Sequence, residues 1–450
     1  MIKTKNKEPI ALYFCIFILF VTSMGLWIGW NGRGDYIYAV IGVFMFLFVR
    51  TNHVKLEYSK RNVISLIVVI LCFTYIRINE KSLGLRVPFI FYLPVSLLIL
   101  LNEEDKIKCI PHIVRWFSYL LIPSIIVYLL YQTVGLPSLG EIQVSGNVDQ
   151  PYEYTHRQNY IFYCYSDFGN YAIRFNGPFI EPGHLGMMSS FLLLASGYNF
   201  KKIETWIIIL GILFTLSLSG YMLAFFGYLF YQFGNGRINV KFIIGVFFFV
   251  LIVLYVAFTY NDGDNLLFEL IVSRLEPDEE KGFAGNNRVF GEIDLYFATM
   301  FTDTRLLLFG YDVETMQYLS ASGSRGTGLV MEIVRHGIVG AVLSILFYFV
   351  YAFNGSRGKM TFAFLAYVLM LYWQRTYPFW FAWIICYVYG LTCYENVLTG
   401  KYKVHPTFRV IMLYYRRRKL LVILVYLNNH KQMYKYEQQF SISCLGAIHP

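Results

Sequence analysis

Long apolar runs dominate the sequence, and they constrain the fold more than any other feature. A helix needs roughly 20 apolar residues to cross a bilayer, and about twelve segments approach that length. They lie at about 10–29, 36–49, 62–77, 88–101, 110–134, 177–198, 204–217, 220–234, 241–260, 327–353, 359–373 and 377–397. The sequence therefore predicts an all-α fold, a polytopic integral membrane protein with about 12 transmembrane helices and two long extracytoplasmic loops.

The composition agrees with a membrane class. Hydrophobic residues make up 57% of the chain and charged residues 15%, whereas soluble domains carry about 25% charged residues. The net charge of +10 comes mostly from short loops and the C-terminal tail, as is typical of orientation signals. The basic N-terminus and the apolar residues at 10–28 lack a small-residue cleavage site, so we expect an uncleaved first span.

Lys and Arg residues cluster in alternate loops, for example at 50–61, 201–202 and 357–359. Such loops are usually cytoplasmic, and an even number of spans then places both termini on the same side. The loop at 77–87 opposes this rule, because it carries Arg77 and Lys81 on the other side.

The predicted organisation alternates membrane segments with polar ones. Loops longer than about 12–15 residues are usually functional or disordered. Apolar residues at helical spacing, such as Leu295, Tyr296 and Met300, predict short amphipathic helices rather than disorder in the long loops. The predicted parts are N-terminal spans at 1–134, a first long extracytoplasmic loop at 135–176, central spans at 177–260, a second long extracytoplasmic loop at 261–326, C-terminal spans at 327–397 and a basic cytoplasmic tail at 398–450.

The stretch RFNGPFIEPGHLG, residues 174–186, places ionisable groups at the mouth of a span. Such groups are costly at membrane depth and are read as functional by default. Irregular backbone is tolerated there only where protein or a wet cavity covers it. We expect one wall of an outward-facing catalytic cavity, in which Glu181 acts as a base or orients another group. The alternatives are a helix-dipole role for Glu181 and a packing role for His184.

Four arginines adjoin spans on the predicted outer face. Arginine stays charged and forks around phosphate oxygens, so this set favours a phosphate-bearing ligand. Each could instead be an interfacial side chain or one half of an ion pair. The four are Arg174, Arg288, Arg305 and Arg325.

Two further stretches carry polar groups. Asn287 and Arg288 suit contacts with a glycan or a phosphate. Within an apolar helix, Glu332 faces Arg335 and His336 at i+3 and i+4, which indicates either an intramembrane ion pair or a downward continuation of the polar cavity. The sequence shows no metal cluster of convincing spacing, no glycine-rich nucleotide loop and no Ser/His/Asp order.

Three features together carry a family resemblance. The stretch at 174–186 matches an Arg…Gly-x-Phe-x-Glu-Pro-Gly pattern, Leu216–Gly220 (LSLSG) forms a Ser-rich turn between spans, and Asn287-Arg288 opens the second long loop. On these residues the chain resembles, over about 10–397, the bacterial O-antigen and capsule repeat-unit polymerases (Wzy type), and it is similar to the related O-antigen ligases. The ligases usually carry a His near Ser322 to Arg325. This sequence lacks it, which favours a polymerase.

The resemblance implies a membrane glycosyltransferase in the bacterial cytoplasmic (inner) membrane, with its active site facing the periplasm or exterior. It would join oligosaccharide repeat units linked to undecaprenyl pyrophosphate into a surface polysaccharide such as O-antigen, capsule or exopolysaccharide. The alternatives are an O-antigen ligase and, in another class, a lipid-linked oligosaccharide flippase or transporter. Two long outer loops argue against a transporter, whose sites usually lie at the midplane.

The implied site has two groups of residues. The catalytic residues are Arg174, Glu181, Arg288 and Arg325, and the substrate-binding residues are Asn176, Gly177, His184, Asn287 and Arg305. No cofactor or metal is implied, because the donor is already activated. The implied partners are the lipid-linked oligosaccharide, as donor and acceptor, and the lipid bilayer. A chain-length regulator and a flippase of the same pathway are further candidates, and no nucleic acid is expected.

Overall fold

Helices form most of the structure in the described part of the chain. The computed structural model describes residues 8–82, 84, 87–144, 156–165, 173–236, 240–263, 265, 268–273, 277–278, 282–283, 292–322, 328–355, 358–375 and 381–399. The described α-helices number 15. They are α1 (Ile10–Ser23), α2 (Arg33–Thr51), α3 (Lys60–Asn79), α4 (Leu93–Leu100), α5 (Glu103–Val134), α6 (Pro182–Ser196), α7 (Ile203–Phe214), α8 (Leu218–Gly234), α9 (Val240–Thr259), α10 (Ile293–Thr299), α11 (Thr304–Phe309), α12 (Val313–Ala321), α13 (Gly328–Phe353), α14 (Lys359–Gln374) and α15 (Phe381–Thr399).

Short elements complete the described chain. Three 3₁₀ turns lie at Trp27–Gly29, Tyr260–Gly263 and Met300–Thr302, and π-helical turns lie at Pro88–Tyr92 and Phe268–Val272. Strands β1 (Glu141–Gln143), β2 (His156–Asn159) and β3 (Cys164–Tyr165) form an antiparallel sheet in that order. Strands β4 (Pro277–Asp278) and β5 (Gly282–Phe283) form an antiparallel pair.

The two long polar segments fold differently from each other. The second contains short helices at α10, α11 and α12, so the prediction from helical spacing is confirmed there. In the first, the prediction of short helices is wrong for the described residues 141–143, 156–159 and 164–165, which form the β1–β3 sheet. Tyr160 and Tyr163, between β2 and β3, pack against Tyr131 of α5 with rings tilted by 53° and ring centroids 5.2 and 5.7 Å away. The sheet therefore has tertiary contacts with α5 that helical spacing in the sequence does not reveal.

Helices α6 and α15 form the centre of the fold. Every residue from His184 to Ala195 is buried, and residues 382–388 of α15 are fully buried. A helix that is apolar all round must be surrounded by other elements. Accordingly, α6 packs against α7, α8 and α15.

The outer helices carry apolar side chains on their surfaces. Phe44 of α2 is 62% exposed and Phe248 of α9 is 58% exposed. Soluble proteins rarely expose large apolar patches, so these surfaces are consistent with a membrane protein. By length and composition, four described helices can cross a membrane, namely Arg33–Thr51, Lys60–Asn79, Glu103–Val134 and Gly328–Phe353. The count of twelve spans stays a prediction.

A break in α13 positions the second polar segment. Gly337 has φ 67° and ψ −178°, a conformation that favours glycine. A Cβ there would collide with the backbone carbonyl of Leu308. The end of α11 therefore docks on the break, where Asn79 Nδ2 donates to the carbonyls of Phe309 (2.9 Å) and Arg335 (3.3 Å).

The loop that opposes the charge rule has its own neutralising contacts. Arg77 Nη1 lies 3.3 Å from Glu80 Oε2, and the guanidinium lies 4.6 Å from the ring centre of Phe91. Because Glu80 neutralises its charge, Arg77 is weaker evidence that this loop is cytoplasmic.

Candidate functional site

The turn that carries Arg174 and Glu181 is fixed by backbone hydrogen bonds. Gly177 adopts φ 58°, and its carbonyl accepts from Cys164 N at 3.0 Å. Asn176 is buried, and its Nδ2 donates to the carbonyls of Cys164 and Phe179, both at 2.8 Å. The predicted substrate-binding residues Asn176 and Gly177 thus hold the shape of the turn.

The segment after α1 covers the same turn. Trp27 N donates to Pro178 O at 3.0 Å, and Ile180 N donates to Gly25 O at 3.1 Å. Buried backbone groups of irregular segments need such partners. Because both neighbours supply them, the turn is held in one conformation before α6 begins.

Glu181 is the N-cap residue of α6, but its side chain makes no capping hydrogen bond. Its Oε2 instead accepts from Arg375 Nη2 at 2.6 Å. His184 Nε2 lies 3.6 Å from the same oxygen, one turn into the helix. The Glu181 and Arg375 side chains are 29% and 27% exposed, whereas His184 is 7% exposed. A ligand can therefore reach the charged pair, and His184 lies beneath it.

Arg375 is a site residue that the sequence reasoning missed. It ends α14, where its backbone N donates to Leu371 O at 2.9 Å. A Cβ at Gly328 would lie 2.6 Å from Arg375 N, so the start of α13 packs directly on this residue. The sequence did contain a signal for it. Arg375 lies between the apolar runs 359–373 and 377–397, and the predicted topology places it on the same side of the membrane as Glu181.

The stretch at 174–186 and the Ser-rich turn, two of the three that carry the resemblance, lie against each other. Arg174 Nε donates to Thr215 O at 3.0 Å. A Cβ at Gly186 would lie 3.2 Å from the Cα of Gly220, and Ser190 Oγ donates to Gly220 O at 3.2 Å. Close approach of two backbones requires glycines at this crossing. Glu181 and the Ser-rich turn therefore belong to one part of the fold.

Ser217 begins α8 as its N-cap. Its Oγ accepts from Gly220 N at 3.3 Å, and it lies 3.1 Å from Ser219 Oγ. This is the capping pattern expected for serine. A turn between 204–217 and 220–234 is confirmed, but it lies at residues 215–217, because Leu218 to Gly220 of the predicted turn form the start of α8.

The remaining candidates fall elsewhere. Arg305 lies exposed on α11, and no described contact joins it to Glu181 or Arg375. Asn287, Arg288 and Arg325 lie outside the described residues, as does the tail from residue 400.

The described residues contain no ion pair between Glu332 and either Arg335 or His336. Glu332 and His336 are buried, whereas Arg335 is exposed. His336 Nε2 instead lies 3.8 Å from Oε1 of Glu80, which is the C-cap residue of α3. The break at Gly337 follows these residues directly, so regular helical spacing does not describe their surroundings.

The site combines positive charge with one carboxylate. Arg375 supplies a guanidinium beside Glu181, and the N-terminus of α6 adds a partial positive charge. Arg174 lies at the start of the same turn, where its Nε donates to Thr215 O. Within the described part of the chain, no group of three or more His, Cys, Asp or Glu residues could hold a metal ion. These groups suit a phosphate-bearing ligand and a nearby hydroxyl group.

Comparison with protein-family models, curated proteins and solved structures found no match to the chain.

Proposed function

We propose that this protein is a membrane glycosyltransferase that polymerises oligosaccharide repeat units carried on undecaprenyl pyrophosphate. The observation that carries the proposal is the Glu181–Arg375 pair. It lies in the part of the fold where the stretch at 174–186 meets the Ser-rich turn at Gly220. Two stretches that resemble one enzyme family are thus adjacent in space, although they are separate in sequence.

The chemistry assigns a role to each group. The hydroxyl oxygen of the acceptor sugar attacks C1 of the donor's reducing-end sugar. A new C1–O bond forms, and the bond from C1 to the pyrophosphate oxygen breaks. The lipid pyrophosphate leaves with that electron pair, and the hydroxyl proton passes to the Glu181 carboxylate. Proton transfer by a positioned side chain typically accelerates such reactions by about 10²–10⁴-fold.

Arg375 takes part both in activating the acceptor hydroxyl, through Glu181, and in stabilising the leaving pyrophosphate. A guanidinium has five N–H donors, so it can hold Glu181 and still donate to phosphate oxygens. Arg174 supplies the second guanidinium from the same turn. The negative charge that develops on the leaving pyrophosphate is then stabilised by groups already in place. Arg288 and Arg325 remain proposed contributors on sequence grounds.

The proposed topology has twelve spans, both termini in the cytoplasm and the Glu181 end outside. All twelve apolar segments overlap described helices, which supports this topology. At one end of the bundle Glu181 meets Arg375, and Arg61 meets Glu395 at the opposite ends of α3 and α15. The two ion pairs therefore lie at opposite ends of the bundle, and Arg61 lies at the end where the positively charged loops are predicted.

Glycan analysis of a deletion strain tests the function. The strain, complemented with wild type or with Glu181→Gln, is examined for the length of its surface polysaccharide. A polymerase is expected to leave single repeat units exported but unpolymerised when it is lost. Full-length polymer that is never attached would instead indicate a ligase, and repeat units retained on the cytoplasmic face would indicate a flippase.

A further inference from the structure

A cavity of about 300 Å³ with both polar and apolar lining residues lies between the end of α3 and the helix α12. We call it the α3–α12 cavity. Its volume is at the lower end of the range for small-molecule sites, roughly 300–1,000 Å³. Its lining includes Asn79, Glu80, Tyr311, Val313, Gln317 and Arg335.

Hydrogen bonds hold two lining residues of the cavity, Tyr311 and Asn79, in place. Tyr311 N donates to Val334 O at 2.9 Å. The Tyr311 hydroxyl donates to Tyr296 O at 3.0 Å, and the two rings pack edge to face with centroids 5.2 Å apart. Asn79 is held by its two bonds to backbone carbonyls. The cavity is thus formed before any ligand arrives, which reduces the entropy lost on binding.

Its polar groups offer both donors and acceptors. The described residues donate no hydrogen bond to Asn79 Oδ1, and none pairs with the Gln317 amide or the Arg335 guanidinium. An amide supplies donors and acceptors, a carboxylate only acceptors and a guanidinium only donors. Glu80 adds a carboxylate, which also pairs with Arg77 at 3.3 Å. Hydroxyl groups, which donate and accept, match this mixture.

The cavity also has an apolar side. Val313 and Met316 line it together with Tyr311. A pyranose ring has a face of C–H groups and a rim of hydroxyls, so one such ring can use both kinds of wall. Most small-molecule sites combine apolar walls with a few placed polar groups in this way.

Helix α13 connects the α3–α12 cavity to the Glu181–Arg375 pair. Gly328 packs against Arg375, and Arg335 lies seven residues further along α13, before the break at Gly337. At 1.5 Å per residue these positions are roughly 10 Å apart along the helix. A ligand that occupies both places must therefore be longer than one sugar.

We propose that the α3–α12 cavity binds a sugar residue of the lipid-linked oligosaccharide that is not a partner in the bond being formed. This proposal rests on the proposed function, and it assigns to the cavity the recognition of the repeat unit. The residues that distinguish one glycan from another are then Asn79, Gln317 and Arg335.

The test measures binding to the purified full-length protein in lipid nanodiscs by saturation-transfer NMR. The probe is the repeat-unit oligosaccharide released by mild acid from the lipid carrier of the deletion strain. Gln317→Ala removes one exposed amide, and Val313→Trp fills the cavity. Glu314→Ala is the matched control, because Glu314 is an exposed residue of α12 that does not line the cavity.

We expect Gln317→Ala to weaken binding about threefold to tenfold, the loss of one hydrogen bond, and Val313→Trp to weaken it further. In polymerisation assays both variants should raise KM and leave kcat unchanged. Binding equal to wild type in both variants overturns the proposal. Weakened binding of inorganic pyrophosphate in Gln317→Ala, with oligosaccharide binding intact, overturns it as well.

The two proposals can fail separately. If the deletion strain still makes full-length polymer while Gln317→Ala weakens oligosaccharide binding, the cavity is a glycan site in a protein that is not a polymerase. If polymer is lost on deletion and the cavity variants bind normally, the polymerase proposal survives without the cavity.

Discussion

The carboxylate of Glu181 and the guanidinium of Arg375 meet at 2.6 Å, although the two residues are 194 positions apart in the chain. The Arg61–Glu395 pair resembles it in chemistry and spans 334 positions. The two pairs differ in exposure, because both side chains are 11% exposed in Arg61–Glu395 but 27–29% exposed in Glu181–Arg375. We infer that the buried pair stabilises the fold and that the accessible pair serves a ligand.

Replacing Arg375 should reduce activity far more than stability. Arg375→Ala is expected to lower kcat about 100-fold, as for other donors that stabilise charge in a transition state. The unfolding free energy should change by about 0–1 kcal/mol, since partly exposed ion pairs contribute little. Polymerisation rate and thermal unfolding of the purified variant are the measurements.

The matched control is Arg115→Ala, which removes another partly exposed pair, 3.9 Å from Glu204. It should leave both quantities unchanged. The double variant Glu181→Ala/Arg375→Ala should be little worse than the worse single variant, because residues that act together are not additive. Fully additive losses would contradict a joint role.

The Arg61–Glu395 pair should behave in the opposite way. Arg61 also donates from Nε to Tyr351 O at 2.6 Å, and its guanidinium lies 3.7 Å from the Tyr351 ring centre. Arg61→Ala is expected to destabilise the protein by about 3–5 kcal/mol, because it leaves a buried carboxylate unpaired. The double variant Arg61→Met/Glu395→Gln should recover much of that loss in thermal unfolding. A full loss in the double variant would contradict this account.

The glycine crossing between α6 and α8 should not accept a larger residue. A Cβ at Gly220 would lie 3.2 Å from the Cα of Gly186, and neither backbone can move away easily. Overpacking of this kind costs about 1–3 kcal/mol, so Gly220→Val should lower the unfolding temperature. In Gly245→Ala the added Cβ has no atom within 4 Å, and the unfolding temperature should not fall. Equal effects of the two changes would contradict the crossing.

Asp312 should make a pH-dependent contribution through its cap of α12. The hydrogen bond from Thr315 N, at 2.8 Å to Oδ1, lowers the pKa of the Asp312 carboxyl, and a side-chain bond from Thr315 adds to it. The stabilisation is therefore present above the unfolded pKa, about 3.9. It is lost as the pH falls through the lower folded value.

At pH 7 we expect Asp312→Ala to cost about 1 kcal/mol, measured by thermal unfolding. The difference from wild type should shrink at pH 3, because protons already bind this carboxyl in the unfolded chain at that pH and so favour unfolding. Asp312→Asn, which can still cap the helix, should be nearly neutral at both values. A wild-type advantage that persists unchanged at pH 3 would contradict the cap.

The sequence predicted the helices well and the site only in part. Apolar runs of this length predict helices because a segment that crosses a bilayer must satisfy its own backbone hydrogen bonds. Pro182 predicts where α6 begins, because proline is favoured in the first turn of a helix. Arg375 was missed because its partner lies far away in the chain, and no local pattern marks such a contact. The α3–α12 cavity depends on the positive φ of Gly337, which becomes visible only when the Leu308 backbone is seen to pack there.

Polymerase activity is tested most directly with purified full-length protein in liposomes that contain the lipid-linked repeat unit from the deletion strain. Polymer length and released undecaprenyl pyrophosphate are measured together. We predict one released lipid pyrophosphate for each new linkage in wild type, and about 100-fold slower formation of both products in Arg375→Ala. Single repeat units left intact by the wild-type protein, with no lipid pyrophosphate released, would contradict its proposed function as a polymerase.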